Sequence, residues 1–257
     1  MIEIRPVFES EAPEFLRVLC DVFNLDQGRA GTIFYSEPFF DLSRKWALFQ
    51  DRQMVAILTT TPLQFGFGSA IGIAGVGTLP DHRDKGYGQK LLEHVLEHSD
   101  RHGESRALLF AHRQTLYARV GFELVDHVIK GPIKGATKMP YSTPLPQAQV
   151  QEMYAEWANV HPMRIIRDSR RWDYWHFVYR ESFAATGGYI ASETNLIREA
   201  VISELPDSWP VIEGGEWYGL RSMTAQLGIP LQSEKEELLV MARNFPDIPQ
   251  MFMSDQF

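Results

Sequence analysis

Residues 76–92 read VGTLPDHRDKGYGQKLL, and no other stretch limits the fold so much. An apolar run ends at Pro80 and a short polar loop follows. Glycines then open a helix whose Leu91, Leu92, Val95 and Leu96 share one face. A strand, tight loop and helix in this order belong to a mixed α/β layer. Gly86 and Gly88 remove side chains where a backbone must come close to a ligand. The N–H groups of the first helical turn and the helix dipole then attract an anion. Arg83 and Lys85 add positive charge. The run Arg83-Asp84-Lys85-Gly86-Tyr87-Gly88 therefore has the form of a pyrophosphate cradle. The competing phosphate motifs fail: there is no GxxxxGK[ST], and Gly72, Gly75 and Gly77 lie inside a strand instead of opening a helix. The plainer alternative is a glycine-rich turn that only joins strand to helix. The flanking strand, Pro80 and the amphipathic helix favour the cradle.

Around this unit the pattern predicts a strand over 2–7, then a helix capped by Ser10 with Phe15, Leu19 and Val22 on one face. A second helix lies within 31–44. A hairpin of 46–50 and 54–61 turns at Asp51-Arg52-Gln53, and 69–78 continues it as a buried strand. After the helix over 88–101, with Gly103 at its C-terminal stop, come a strand at 106–110, a short helix at 116–120 and a strand at 122–125. Residues 136–147 hold Pro140, Pro144 and Pro146 and read as a linker. The expected division is a first domain over 1–135, the linker over 136–147 and a second, smaller α+β domain over 148–257. In the latter, helices are expected at 148–159, 170–180 and 219–227, and strands at 189–191, 196–202 and 238–242.

Charge and composition narrow the function classes. The 25 basic residues are outnumbered by 33 acidic ones, for a net charge of −8, which speaks against a nucleic-acid partner. No apolar run is long enough for a membrane span, and the opening MIEIRPVFES has no apolar leader core. Cys20 is the single cysteine, so no disulfide framework or cysteine zinc cage is available. A cytoplasmic protein is the expectation. His94, His98 and His102 recur at four-residue spacing, but HExxH is absent and a polar helix face explains them without metal. Trp172, Trp175, His176 and Tyr179 follow a helical repeat beside Arg170, Arg171 and Arg180. Such a strip could stack bases, but an amphipathic helix docked into a core accounts better for the spacing.

The segment from Val76 resembles motif A of the GNAT superfamily of N-acetyltransferases, V-x-V-x-P-x-x-R-x-x-G-x-G. Val76, Thr78, Pro80, Arg83, Gly86 and Gly88 fall on its positions, with Thr78 in place of the second valine. Further along, Leu116–Glu123 resembles motif B, Y-x-x-x-G-F, through Tyr117, Gly121 and Phe122. The resemblance covers roughly residues 2–130. It implies an α/β fold with a mixed sheet that splays open beside the motif A strand and holds acetyl-CoA in the gap. It places the cofactor against Val76, Gly77, Thr78, Arg83, Asp84, Lys85, Gly86, Tyr87 and Gly88. The layout is also similar to the Eis-type (enhanced intracellular survival) branch, where a degenerate GNAT-like domain follows the first. The chain is too short for that branch's third, sterol-carrier-like domain. The second half has no RxxGxG, so it is expected to bind no cofactor of its own. A homo-oligomer is compatible with the resemblance.

The implied activity is acetyl transfer from acetyl-CoA to a primary amine, on a small molecule or a peptide, by direct attack through a tetrahedral intermediate. No metal is called for. Backbone N–H groups near Val76 to Thr78 would face the oxyanion. Tyr117 is the candidate acid, since a phenol of pKa about 10 can protonate a departing thiolate. For the base, His112 just past the 106–110 strand is one candidate. The α-carboxylate of Phe257 is another, by analogy with the terminal carboxylate that Eis-type proteins use. A different class stays open beside this one: a non-catalytic module that binds acyl-CoA as a sensor or mediates protein contacts.

Overall fold

The computed structural model describes residues 1–134, 137–138, 144–178, 181–185, 187–202, 210–211 and 215–257. The first half runs β1 (Ile2–Pro6), α1 (Ala12–Phe23), α2 (Gln27–Ser36), β2 (Lys45–Gln50), β3 (Gln53–Phe65) and β4 (Gly68–Thr78). It continues with α3 (Tyr87–Arg101), β5 (Ala107–Ala111), α4 (Thr115–Ala118) and β6 (Glu123–Pro132). The second half adds β7 (Thr137–Lys138), α5 (Gln147–Asn159), α6 (Ser169–Val178), β8 (Glu181–Ala185), β9 (Gly188–Glu193) and β10 (Leu196–Ile202). It ends with β11 (Pro210–Val211), β12 (Glu216–Leu220), α7 (Arg221–Gln226) and β13 (Lys235–Arg243). Among these residues no helix is long and apolar enough to cross a membrane.

Eleven strands form one mixed sheet in the order β1-β2-β3-β4-β5-β13-β6-β12-β10-β9-β8. From β1 to β4 it is an antiparallel meander, and β4 to β5 is the parallel step that α3 crosses. The β2–β3 hairpin turns on Asp51 and Arg52, both at positive φ (50° and 71°), as a tight two-residue hairpin requires. The two halves of the chain meet inside this sheet. β13, near the C-terminal end, lies antiparallel to both β5 and β6 and fills the place between them. Half of the expected linker, residues 136 and 139–143, lies outside the described residues, as do residue 135 at the domain boundary, Tyr179 and Arg180.

Three apolar clusters clamp the sheet. Leu91, Leu92, Val95 and Leu96 of α3 pack on one face against Ile71, Ile73 and Leu109. Each such buried aliphatic side chain contributes about 1.5–3 kcal/mol. Phe15, Leu16 and Val18 of α1 cover the outer strands together with Phe34 of α2. The third cluster gathers Tyr154, Trp172 and Trp175 of α5 and α6 with Trp217 and Phe252, and it reaches Phe65 of β3 and Leu108 of β5. Trp172 and Trp175 are thus core residues, whereas His176 is exposed. His98 and His102 stack on each other (4.1 Å between rings) and His98 packs on Trp46 at 4.7 Å, so the histidine ladder has a packing role.

Two local expectations are corrected. Ser10 does not cap α1: a 3-10 turn at Glu9–Glu11 precedes the helix, and its side-chain acceptor is Glu11. One oxygen of Glu11 accepts the Phe8 N–H (2.8 Å), and both bind the Arg5 guanidinium at 2.7 and 2.8 Å. The helix expected over 219–227 begins only at Arg221, because Gly219 and Leu220 complete β12 against Ile129 and Val128 of β6. A Cβ at Gly219 would lie 2.5 Å from the Trp217 indole, so the glycine makes room for that buried ring.

Candidate functional site

β4 pairs with β5 through only three residues, Ile71, Gly72 and Ile73 opposite Ala107, Leu108 and Leu109. Beyond Ile73 the two strands part, for β4 continues to Thr78 while β5 turns its other edge to β13. Against β3, residues 74–77 of β4 take three steps while 57–59 take two, a bulge that carries Gly75 at φ +60°. The result is a bent, half-exposed segment, Ala74 to Val76, with its β5-side edge unpaired by any described strand. Gly77 faces the other way, and a Cβ there would meet Val22 of α1 at 2.6 Å. An unpaired sheet edge can take an extended polar chain as it would take a further strand.

That edge leads into the loop. Pro80–His82 make a 3-10 turn, Asp84 (φ +61°) and Gly86 (φ +74°) adopt left-handed conformations, and α3 starts at Tyr87. Nothing lies within 4 Å of a Cβ built on Gly86, so its requirement is conformational. Gly88 is different: a Cβ would sit 3.2 Å from Thr78 Oγ1, which keeps the helix start close to the strand end. No side chain caps α3 and its first turn holds no acid. The first bond into the helix is Lys90 N–H to Gly86 O (3.0 Å), so the amides of Tyr87, Gly88 and Gln89 have no partner within the helix. Arg83 and Lys85 are exposed and bend back on the loop. Arg83 Nε donates to Thr78 O at 3.3 Å and Lys85 Nζ to Asp81 O at 3.0 Å. Tyr87 is half-buried and donates to Gln50 Oε1 (2.8 Å). His82 Nδ1 is buried with no hydrogen-bond partner among the described residues. An uncapped helix start, a glycine-lined turn and a strand edge unpaired by any described strand offer backbone N–H groups that suit the diphosphate and amide-rich arm of a coenzyme.

At the far end of β5, Phe110 points to the face opposite α3, and the chain passes through exposed His112 into α4. Tyr117 of α4 is half-buried beside Phe122, rings 6.2 Å apart and nearly perpendicular. Burial pushes its phenol above the usual range, which keeps it protonated and able to donate.

The same opening is reached by the tail of the chain. Phe257 lies 5.5 Å from the Phe110 ring, and a Cβ on Gly72 would collide with the Phe257 ring at 2.5–2.6 Å. Behind it, Met253–Asp255 form a buried 3-10 turn. Arg167, with no exposed side-chain surface, donates to both Asp255 oxygens (2.8 Å each) and to Glu199 at 2.7 and 3.1 Å. Glu199 also accepts from Trp175 Nε1 (2.9 Å), from the Tyr189 hydroxyl and from the Ser254 hydroxyl. Burial alone would raise the Glu199 carboxyl. The Arg167 charge and these hydrogen bonds outweigh it and hold the group below the usual carboxylate range. Tyr174 donates to Gln256 O at 3.0 Å. α6 also grips the first half, with Arg170 donating to Pro38 O (2.7 Å) and Arg171 to Pro62 O (3.0 Å).

Sequence reasoning thus marked the loop residues, Tyr117, His112 and Phe257, but not Gly72, Phe110 or the Arg167–Glu199–Asp255 cluster. Those partners are separated by up to 88 positions, and no spacing rule connects them. A separate cleft of about 430 Å³, lined by residues such as Trp157, Arg164 and Leu227, contains none of the loop residues.

Residues 3–125, just under half of the chain, match the family model described as Acetyltransferase (GNAT) domain. No curated protein matches the sequence. Among solved structures, a GCN5-related N-acetyltransferase from Kribbella flavida has a TM-score of 0.72 at 16% identity, over 94% of this chain and 70% of that one. One from Anabaena variabilis has a TM-score of 0.69 at 17% identity, covering 95% and 72%. Eis1 from Mycobacterium abscessus has a TM-score of 0.63 at 14% identity, covering 93% and 73%. The mixed sheet is that of GNAT acyltransferases, and the shared fold extends through the second half of the chain.

Proposed function

We propose that this chain transfers an acetyl group from acetyl-CoA to a primary amine. The observation that carries the reading is the unpaired β4 edge, residues 74–78, running into the uncapped start of α3. Amides at the start of α3, with Arg83 and Lys85 able to swing from their backbone acceptors, would hold the diphosphate. Backbone groups of Val76, Gly77 and Thr78 would hold the arm and face the oxygen that gains charge at the thioester carbonyl. Asp84, Gly86, Tyr87 and Gly88 shape the loop.

Tyr117 is the acid that returns a proton to the departing thiolate, and its raised pKa keeps the phenol protonated until then. Two groups can take the amine proton: the α-carboxylate of Phe257 and the imidazole of His112. The seat of Phe257 against Gly72 and Phe110 supports the former, and extending the chain by one residue after Phe257 tests it. The second half supplies one side of the acceptor cleft through α6 and the tail. An Eis-like tandem arrangement fits this layout, and the likeness to Eis1 over 93% of the chain supports it. The acceptor is read as a cationic amine, such as a polyamine, an aminoglycoside or a lysine side chain, in keeping with the net charge of −8.

Calorimetry with CoA and acetyl-CoA, followed by thiol release across an amine panel, tests the proposal. Binding with turnover supports it. Binding without turnover of any amine supports a non-catalytic acyl-CoA module. No binding of either coenzyme removes both.

A further inference from the structure

We infer that the phenyl ring of Phe257 is the end wall of the acyl pocket and restricts the transferred group to short chains. The inference rests on the reading of the β4 edge as the coenzyme's seat, and it fixes which acyl class that seat accepts.

The direction of the arm follows from the fold. With the diphosphate at the start of α3, the arm runs back along β4 from Thr78 to Ala74, about 13 Å of strand. The free edge stops where β4 and β5 close at the Ile73–Leu109 pair, so the acyl end arrives there. Gly72 stands one residue to the closed side of that pair on β4, Phe110 one residue to the open side on β5, and the Phe257 ring spans the closure against both.

Gly72 reveals what the ring needs. It is not among the residues with positive φ, so backbone conformation does not demand a glycine. What a side chain would lack is space: three atoms of the Phe257 ring lie within 2.5–2.6 Å of a built Cβ. The missing side chain of β4 is replaced by a ring from the far end of the chain.

A wall must also stay in place. Asp255, two residues away, is wholly buried and bound through both oxygens to Arg167, and Tyr174 holds the carbonyl of Gln256. Phe257 itself is half-buried, so its ring both packs and presents a surface. None of this requires the Phe257 carboxylate to act as base.

The test uses the full chain and unreactive S-ethyl-, S-butyl- and S-hexyl-CoA thioethers, with affinities from calorimetry. Each affinity is divided by that of plain CoA for the same protein. For the wild type the ratio should fall with alkyl length. In Phe257→Ala the S-hexyl ratio should rise about tenfold relative to wild type, the scale of two or so methylenes regaining a buried site. Phe257→Leu, which keeps apolar packing on Phe110, should fall between them. An unchanged length profile in both variants, with plain CoA still bound, overturns the wall and leaves the coenzyme seat standing. Failure of the wild type to bind plain CoA overturns the seat itself, and the wall with it.

Discussion

The site joins two regions that are held in opposite ways. The loop over 80–86 is mostly exposed and secured by short-range bonds: His82 N–H to Leu79 O, Arg83 Nε to Thr78 O, Lys85 Nζ to Asp81 O. The tail is buried over 253–255 and half-buried at its last two residues, and it is secured by Arg167 just before α6, Tyr174 of α6 and Glu199 of β10, all far away in the chain. A region built from its own neighbours can change without disturbing the core. A region built from a buried ionic cluster cannot, since its bonds are also core bonds. Loop substitutions should therefore affect binding first, whereas tail-anchor substitutions should affect stability and chemistry together.

The largest expected effect tests that contrast directly. Arg167→Ala removes the cation that binds both Glu199 and Asp255 and leaves two buried carboxylates without it. The expected loss is about 3–5 kcal/mol, read from urea unfolding midpoints. Arg83→Ala, on the exposed loop, should change stability by about 0.5 kcal/mol or less while weakening CoA binding. Comparable destabilisation by both variants would erase the distinction.

Tyr117 sharpens the comparison from the side of chemistry. It belongs to neither region, packs beside Phe122 and has a raised pKa through burial. Tyr117→Phe should lower kcat by about 100-fold or more while CoA affinity is retained, because only the proton donor is lost. The alkaline fall in wild-type kcat should lie above the ordinary phenol value of about 10, and it should be absent from the residual rate of the variant. An unchanged kcat at saturating amine would remove Tyr117 from the reaction.

A smaller effect distinguishes two kinds of glycine. Gly86 has open space around it and φ +74°, whereas Gly72 has ordinary φ and no space. Gly86→Val should cost roughly 1–2 kcal/mol of stability through backbone strain, and Gly86→Asn, which tolerates the left-handed region, should recover most of it. At Gly72 no such rescue by asparagine is expected, because any side chain meets the Phe257 ring. Thermal midpoints for the four single variants to valine and asparagine check the pattern.

These cases also show which features the sequence makes legible. The strand, loop and helix over 76–101 lie in one continuous run, and apolar periodicity with two glycines is enough to place them. The hairpin at Asp51-Arg52 is equally local. The place of β13 between β5 and β6 is not local, because register and neighbour choice depend on edges left open by the rest of the sheet. β12 escapes notice since Gly219 interrupts its alternation in order to seat Trp217. Ser10 looks like a cap from its type alone, but α1 has no side-chain cap, and it is Glu11 that ties the preceding 3-10 turn to the Phe8 amide and Arg5. Phe257 invites attention only through its position, and what holds it is a cluster spread over residues 167, 199, 254 and 255.

The smallest effect concerns pH and bears on the tail alone. Glu199 is depressed below its ordinary value of 4.5 in the folded chain: burial raises it, but the Arg167 charge and the hydrogen bonds from Arg167, Ser254 and Tyr189 outweigh that. The unfolded chain therefore binds this proton more readily than the folded one. Its contribution to stability is complete above pH 4.5 and is lost as pH falls toward the folded value. Urea midpoints followed by tryptophan fluorescence should hold steady from pH 7 to pH 5 as far as this group is concerned, then decline. Glu199→Gln, which keeps the shape but cannot release a proton, should start from a lower plateau and decline less steeply on the acid side. An identical acid limb in the two proteins would mean that other carboxylates govern it. The tail anchor would then depend on packing of Trp175, Tyr189 and Met253 more than on the charge pair.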